Sequence, residues 1–288
     1  MKNVVRLELG KAFKNWRFLL SILIGCALNI GSAVIRIQSY YSDSSYFQKI
    51  ASAGIISNPV VEAESFYNRW IGADAYTLFA TLFFYLAPLL CTIPFAWSYC
   101  QERNRYYERN MVVRCGRYRY YSAKWIATFC AGGLAVLIPV LLNILVVSMF
   151  VPARTPSIDY VIYSYGIYYP ELGSKLLYTM PALYVCMRLL IIFVFCGLLA
   201  VLGMSIAYIT KNQVAVLITS FFICVALQFI EGGVFAFSKY SASLSPINFL
   251  GQIGNTSKFL WGVLLEGGII AAITIISTCV RGKRHEIY

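Results

Sequence analysis

Charged side chains are scarce in this chain of 288 residues, of which 12% are charged and 59% are hydrophobic. This composition leaves too little polar surface to cover a separate soluble domain. We therefore expect a single membrane domain over residues 1–288.

Histidine is almost absent, since His285 near the C-terminus is the only one. Its scarcity removes the histidine-based metal sites and catalytic triads of intramembrane hydrolases. An aspartyl pair remains possible chemically, but Asp43, Asp74 and Asp159 lie outside the apolar stretches or at their edges. No lysine is followed by serine or threonine, so a Walker A phosphate loop is missing. We expect no catalytic residues, no metal and no cofactor in this chain.

Two further absences concern packing. No pair of glycines at four-residue spacing occurs in an apolar stretch, so the common close-packing dimer motif is missing. None of the nine cysteines lies in a predicted outer segment, where an oxidising environment favours disulfides. The sequence thus assigns no dimer interface and predicts no disulfide.

Six long apolar stretches are present, each about as long as the roughly 20 residues that cross hydrocarbon. They cover residues 18–35, 75–99, 125–151, 182–209, 214–236 and 259–280. The segment 1–17 mixes apolar and basic residues in a pattern typical of a helix in the membrane interface. We expect an all-α, polytopic membrane protein with six transmembrane helices and an N-terminal interfacial elbow helix.

Positive charge is sorted to one side of these stretches. With the N-terminus inside, the inner segments are 1–17, 100–124, 211–213 and 281–288; they hold 16 of the 24 basic residues and four of the 12 acidic ones. The rest of the chain, which includes the outer segments, then holds 8 basic and 8 acidic residues and carries no net charge. By the positive-inside rule, we expect a multi-pass plasma-membrane protein with both termini in the cytoplasm.

Residues 100–124 form the only inner loop large enough to receive a partner. The loop contains a short apolar knob flanked by arginines, and the glycine after it can end a short helix. These residues are Arg109, Met111, Val112, Val113, Arg114 and Gly116. Two interpretations stay open: the helix docks into a protein groove, or it rests on anionic lipid as a basic helix. A nucleic-acid partner is not expected, because the loop is fixed to the bilayer at both ends.

Three charged residues lie inside the apolar stretches at similar depth: Arg188, Glu231 and Glu266. An isolated charge at the bilayer centre costs about 2.5–3.5 kcal/mol on insertion scales, so charges at matching depth tend to pair or to face water. We hypothesise that Arg188 pairs with Glu231 or Glu266 and so holds an outer gate or contacts cargo. The alternative is a static ion pair or snorkelling side chains without a mechanistic role.

The outer segment 237–257 is moderately apolar and contains Pro246. A short re-entrant or interfacial helix pair is expected here, and its backbone would be satisfied only if it is buried in protein.

This layout resembles the membrane subunit of ABC exporter permeases of the second type. In that family an interfacial helix precedes six spans, and the loop after the second span carries an acidic residue, a short coupling helix, a basic residue and a lysine that opens the third span. Those places are occupied here by Glu102, residues 111–115 with Gly116, Arg119 and Lys124. The family's usual Gly-Thr after the acidic residue and Pro after the coupling helix are missing.

Two other stretches carry the same resemblance. Residues 203–216 are similar to the family's tight inner turn, and residues 244–250 to its proline-containing outer segment. The resemblance implies a permease subunit that works as a dimer, with a second copy or a related permease. Its partners would be cytoplasmic ABC ATPase subunits, which bind ATP and Mg²⁺ and grip the coupling helix.

The resemblance leaves the cargo open. Small outer segments offer no capture domain, so we expect a membrane-partitioning substrate of a bacterial-type exporter: an antimicrobial or amphipathic peptide, a drug or a lipid. Two alternatives are kept, namely a membrane channel and a non-transporting membrane anchor or sensor for a cytoplasmic ATPase.

Overall fold

The computed structural model describes residues 2–54, 64–74, 77–157, 173–231, 233, 245–251 and 260–283, and over these all regular secondary structure is helical. The helices, numbered in chain order, are α1 Lys2–Phe13, α2 Trp16–Ser52, α3 Phe66–Arg69, α4 Leu78–Thr92, α5 Ser98–Asn104, α6 Tyr107–Cys115, α7 Arg117–Phe150, α8 Ser174–Thr179, α9 Pro181–Ile206, α10 Gln213–Ile230, α11 Pro246–Gly251 and α12 Leu260–Lys283. A 3₁₀ turn, Ile71–Ala73, lies between α3 and α4.

Five helices are long and apolar enough to cross a membrane: α2, α7, α9, α10 and α12. They suggest a multi-pass membrane protein, and they lie on five of the six predicted apolar stretches. Each backbone N–H and C=O inside such a helix is satisfied within the helix itself, which hydrocarbon requires.

The predicted second stretch, 75–99, is not one continuous helix. It contributes α4, which has only 15 residues, followed by turns over 93–97 and then the start of α5. Pro94 lies in the break; it has no N–H to donate, and its ring clashes with the preceding turn of a helix. The stretch predicted as one span is therefore interrupted at this proline.

The predicted first stretch, 18–35, is shorter than the helix that contains it. Helix α2 continues to Ser52, well into the predicted outer segment. Arg36 lies at this boundary and is only 4% exposed, with its Nε 3.7 Å from Asp74. Because the cation is paired, the helix can continue past it in a buried position.

Helices α7 and α9 form the centre of the bundle. Half of the most apolar window of α7 and 72% of that of α9 are buried, against 17–28% for α2, α10 and α12. The central pair approaches closely at glycines: a Cβ on Gly132 would lie 2.3 Å from the Cβ of Ala200. The outer helices keep large exposed apolar faces, such as Leu265 and Ile276 on α12, which lipid or a second subunit would cover.

Candidate functional site

The predicted coupling loop folds into α5, α6 and the first turns of α7. Helix α6 begins after Tyr106, whose φ of 58° lies in the left-handed region, and ends at Gly116, whose φ is 80°. Glycine adopts this conformation without steric cost. The prediction that Gly116 ends a short helix is therefore confirmed.

Helix α6 has one buried and one exposed face. Glu108, Met111 and Val112 are buried at helical spacing against the aromatic start of α7, whereas Val113 is 85% exposed. The prediction of an exposed three-residue apolar knob is thus wrong for Met111 and Val112. A helix of 3.6 residues per turn places these two on the side of Glu108, and only Val113 points the other way. The exposed face also carries Arg109 and Arg114.

A buried network of four charges joins α1 to the coupling loop. Lys124 Nζ donates to Glu8 (3.0 Å) and lies 2.8 Å from Glu102, while Lys11 Nζ donates to the same two carboxylates at 2.7 and 3.1 Å. The hydroxyl of Tyr120 also donates to Glu102. Lys124 and Glu8 are fully buried. Two cations alternating with two carboxylates balance the charge, which makes the full burial of Lys124 and Glu8 tolerable; the side chain of Lys11 stays 33% exposed.

Electrostatics hold Glu102 in its charged form. Burial alone would raise the pKa of Glu102, but the charges of Lys124 and Lys11 and the hydroxyl of Tyr120 outweigh it and hold that pKa below its usual value of 4.5. Burial likewise acts to lower the pKa of Lys11, and the two carboxylates raise it above its usual value of 10.5. Glu102 and Lys11 are therefore both charged at neutral pH.

These shifts predict how stability depends on pH. A lowered carboxyl pKa contributes stability above pH 4.5 that is lost as the pH falls through the folded-state value, and a raised lysine pKa contributes below pH 10.5. We expect Glu102→Gln to lower stability at pH 7 by about 2 kcal/mol, and this difference to shrink below pH 4.5. Thermal unfolding of both proteins in detergent from pH 3.5 to 7 measures it; a pH-independent difference would show that ionised Glu102 stabilises nothing.

A second cluster anchors the buried face of α6. The hydroxyl groups of Tyr99 and Tyr121 both donate to Glu108, and Arg281 Nε donates to the Tyr99 hydroxyl at 3.3 Å. Arg281 also lies 4.0 Å from Glu108. Tyr121 belongs to α7 and Arg281 to α12, so α6 is bound to two long apolar helices through one carboxylate.

The predicted intramembrane residues form a different arrangement from the one expected. Arg188 is 1% exposed and donates to three backbone carbonyls: Phe249 (2.6 Å), Leu250 (2.8 Å) and Gly72 (3.4 Å). No ion pair joins it to Glu231 or Glu266, although all three lie in the described part of the chain. The pairing hypothesis is wrong, because the guanidinium of Arg188 donates to backbone carbonyls of α11 and of the 3₁₀ turn instead of to a carboxylate.

Glu231 contacts the opposite end of α11. One of its carboxylate oxygens accepts from the backbone N–H of Ser245 at 3.0 Å, just before the helix begins. An anion at the N-terminus and a cation at the C-terminus both stabilise a helix dipole. Arg188 and Glu231 thus hold α11 between them without touching.

One short helix, α11, lies within the segment 237–257, for which a re-entrant or interfacial helix pair was predicted. All six of its residues are buried, which agrees with the expected burial of this backbone in protein. Residues 237–244 and 252–257 lie outside the described residues.

Glu266 forms no hydrogen bond with either end of α11 among the described residues. Both of its carboxylate oxygens are buried without a hydrogen-bond donor among the described residues, and the group lies within electrostatic range of Glu231.

Sequence reasoning missed Glu8 and Lys11 as members of the site. Glu8 was counted only as one of the few acidic residues of the inner segments. The available signal was its spacing from Ala12 and Lys11, which places all three on one face of α1. That face is buried, since Glu8 and Ala12 are fully inaccessible.

No protein-family profile, no curated protein and no solved structure matches this chain.

Proposed function

We propose that this protein is the transmembrane permease subunit of an ATP-driven ABC exporter, powered by separate cytoplasmic ATPase subunits. The observation that supports this most is the construction of α6. One face is locked to α7 and α12 through Glu108, while the other presents Val113 between basic residues. A force applied to the exposed face would reach the long helices directly.

The proposal places α1, α6 and both termini in the cytoplasm of a plasma membrane. Its support is the charge asymmetry of the sequence, in which the inner segments hold the whole net charge of +12. Six passes are then needed, with α4 and α5 together serving as the second, interrupted one. The pathway would be enclosed by two such subunits, either two copies or this chain with a related permease.

The proposed mechanism is a nucleotide-controlled equilibrium between two arrangements of the helices. ATP and Mg²⁺, bound by the ATPase subunits, supply the driving energy. This chain contributes the docking face of α6 and the buried charges that transmit its movement to α1 and α7. Nucleotide shifts the equilibrium only if the two arrangements differ in their affinity for it.

The cargo class proposed is a membrane-partitioning compound, such as an amphipathic peptide, a drug or a lipid. The large apolar faces of α2, α10 and α12 would let such a compound approach from the bilayer. A channel or a simple membrane anchor for an ATPase would show no change of ATP turnover when a cargo is added to the purified complex.

Purification of the protein from its native membrane tests the central claim. We expect an ATPase with a phosphate loop to accompany it. Val113→Asp should then release this partner, because a carboxylate at the centre of an interface removes an apolar contact worth about 2 kcal/mol or more. Val112 is left unchanged, since it is buried within the chain.

Ile209→Asp provides the matched control. Ile209 lies on the short connection between α9 and α10, not on α6. It is 83% exposed, close to the 85% of Val113. We expect the ATPase to stay bound to this variant. Retention by Val113→Asp would show that α6 is not the docking helix, and absence of any ATPase would overturn the proposed function.

A further inference from the structure

A basic cleft of about 780 Å³ opens at the end of the molecule that carries α6. Its lining comes from three places: the C-terminus of α6, the first turn of α7 and the C-terminus of α12. The lining residues are Arg114, Cys115, Gly116, Arg117, Tyr118, Arg119, Gly282 and Lys283. Of these described lining residues, four are cations and none is acidic. Among the described residues, Arg114, Arg119 and Lys283 form no ion pair.

The backbone adds further positive potential to this cleft. Helix α7 has no side-chain cap at Gly116, and the hydrogen bond from Tyr120 N to Gly116 O is the first in its ladder. The N–H groups of Tyr118 and Arg119 are therefore not used within the helix, and the positive end of a 34-residue helix faces the cleft. Cations combined with such N–H groups suit a phosphate group.

The position of the cleft distinguishes a lipid from a free anion. It lies where two long apolar helices end, which is the level of the headgroups in a bilayer. Ile276 and Val280 precede Lys283 at helical spacing and lie on the same side of α12. They are 61% and 49% exposed. They offer an apolar path for acyl chains directly beside the cations, and the exposed Tyr118 is of the type common at this depth.

We propose that this cleft binds the headgroup phosphate of an anionic phospholipid. The cations contact the phosphate while the acyl chains run along α12. This site adjoins the proposed docking face at Val113, with which it shares Arg114, and its occupancy does not require the ATPase.

Lipid binding to the full chain in detergent, measured by native mass spectrometry, tests this inference. The probes are phosphatidylglycerol, phosphatidylcholine and inorganic phosphate. We expect phosphatidylglycerol to bind at least tenfold more tightly than phosphatidylcholine, and inorganic phosphate not to compete. Equal binding of the two lipids would overturn the proposal. Competition by phosphate alone would assign the cleft to a free anion instead.

Two triple variants with equal charge loss separate a built site from general attraction. Arg114→Gln, Arg119→Gln, Lys283→Gln should weaken phosphatidylglycerol binding at least tenfold, because each cation near an anionic membrane surface contributes roughly fivefold. Lys2→Gln, Arg6→Gln, Lys14→Gln removes three exposed cations from α1 and the residue that follows it and should change binding less than threefold. Similar losses in both variants would show that only net charge matters and would refute the site.

Discussion

Lys124→Met is expected to cost about 3–5 kcal/mol of stability, because it leaves buried carboxylates without their main cation. The amine of Lys124 is fully buried between Glu8 and Glu102 and lies 4.6 Å from the ring centre of Phe95. Methionine fills a similar volume but supplies no charge. A lower midpoint of thermal unfolding in detergent measures the loss, and faster proteolysis in residues 100–124 reports that the coupling loop has detached.

A matched control and a second-site variant identify the cause. Lys14→Met removes an exposed lysine from the segment just after α1 and should leave unfolding unchanged. Glu102→Gln in the Lys124→Met background should recover part of the loss, since it removes one of the stranded charges. If Lys124→Met unfolds like the unchanged protein, the network does not hold α1 to the loop.

The sequence was sufficient to predict elements whose signals are local. Apolar length gave the long helices α2, α7, α9, α10 and α12, and the preference of Gly116 for positive φ gave the end of α6. Burial of the short helix α11 followed from the rule that a non-spanning backbone in hydrocarbon needs protein around it.

Partnerships between distant residues could not be predicted. Lys124 and Glu8 are 116 positions apart, and several other acidic residues were equally available in the inner segments. The faces of α6 were misjudged because three consecutive apolar residues cannot share one side of a helix. The sequence also gave no indication that single glycines, such as Gly132, would bring α7 and α9 together, because the known motif needs a pair.

The intramembrane charges illustrate a third limit. Matching depth correctly brought Arg188 and Glu231 into one region, but it favoured direct pairing. A buried guanidinium has five donors and can instead be satisfied by carbonyls at a helix end. That solution depends on α11 entering the bundle, which depth alone does not indicate.

Arg188→Leu is expected to release α11 from α9. The variant removes the guanidinium donor from the carbonyls of Phe249, Leu250 and Gly72, and hydrogen bonds to charged groups contribute about 1.5–3 kcal/mol each. Even about 2.8 kcal/mol in total corresponds to roughly hundredfold faster opening. Hydrogen exchange of the peptide covering residues 246–251, followed by mass spectrometry, measures this directly.

Three companion variants make the interpretation specific. Arg188→Lys keeps the charge but loses the planar fork, so exchange should lie between the two extremes. Cys186→Leu changes an exposed position on the same helix and should leave exchange unchanged. A charge-swapped Arg188→Glu, Glu266→Arg double variant should restore nothing, because Arg188 acts on carbonyls and not on Glu266. If the double variant recovered exchange protection of residues 246–251, the ion-pair hypothesis would be supported. Unchanged protection in Arg188→Leu would show that Arg188 does not hold α11 in place.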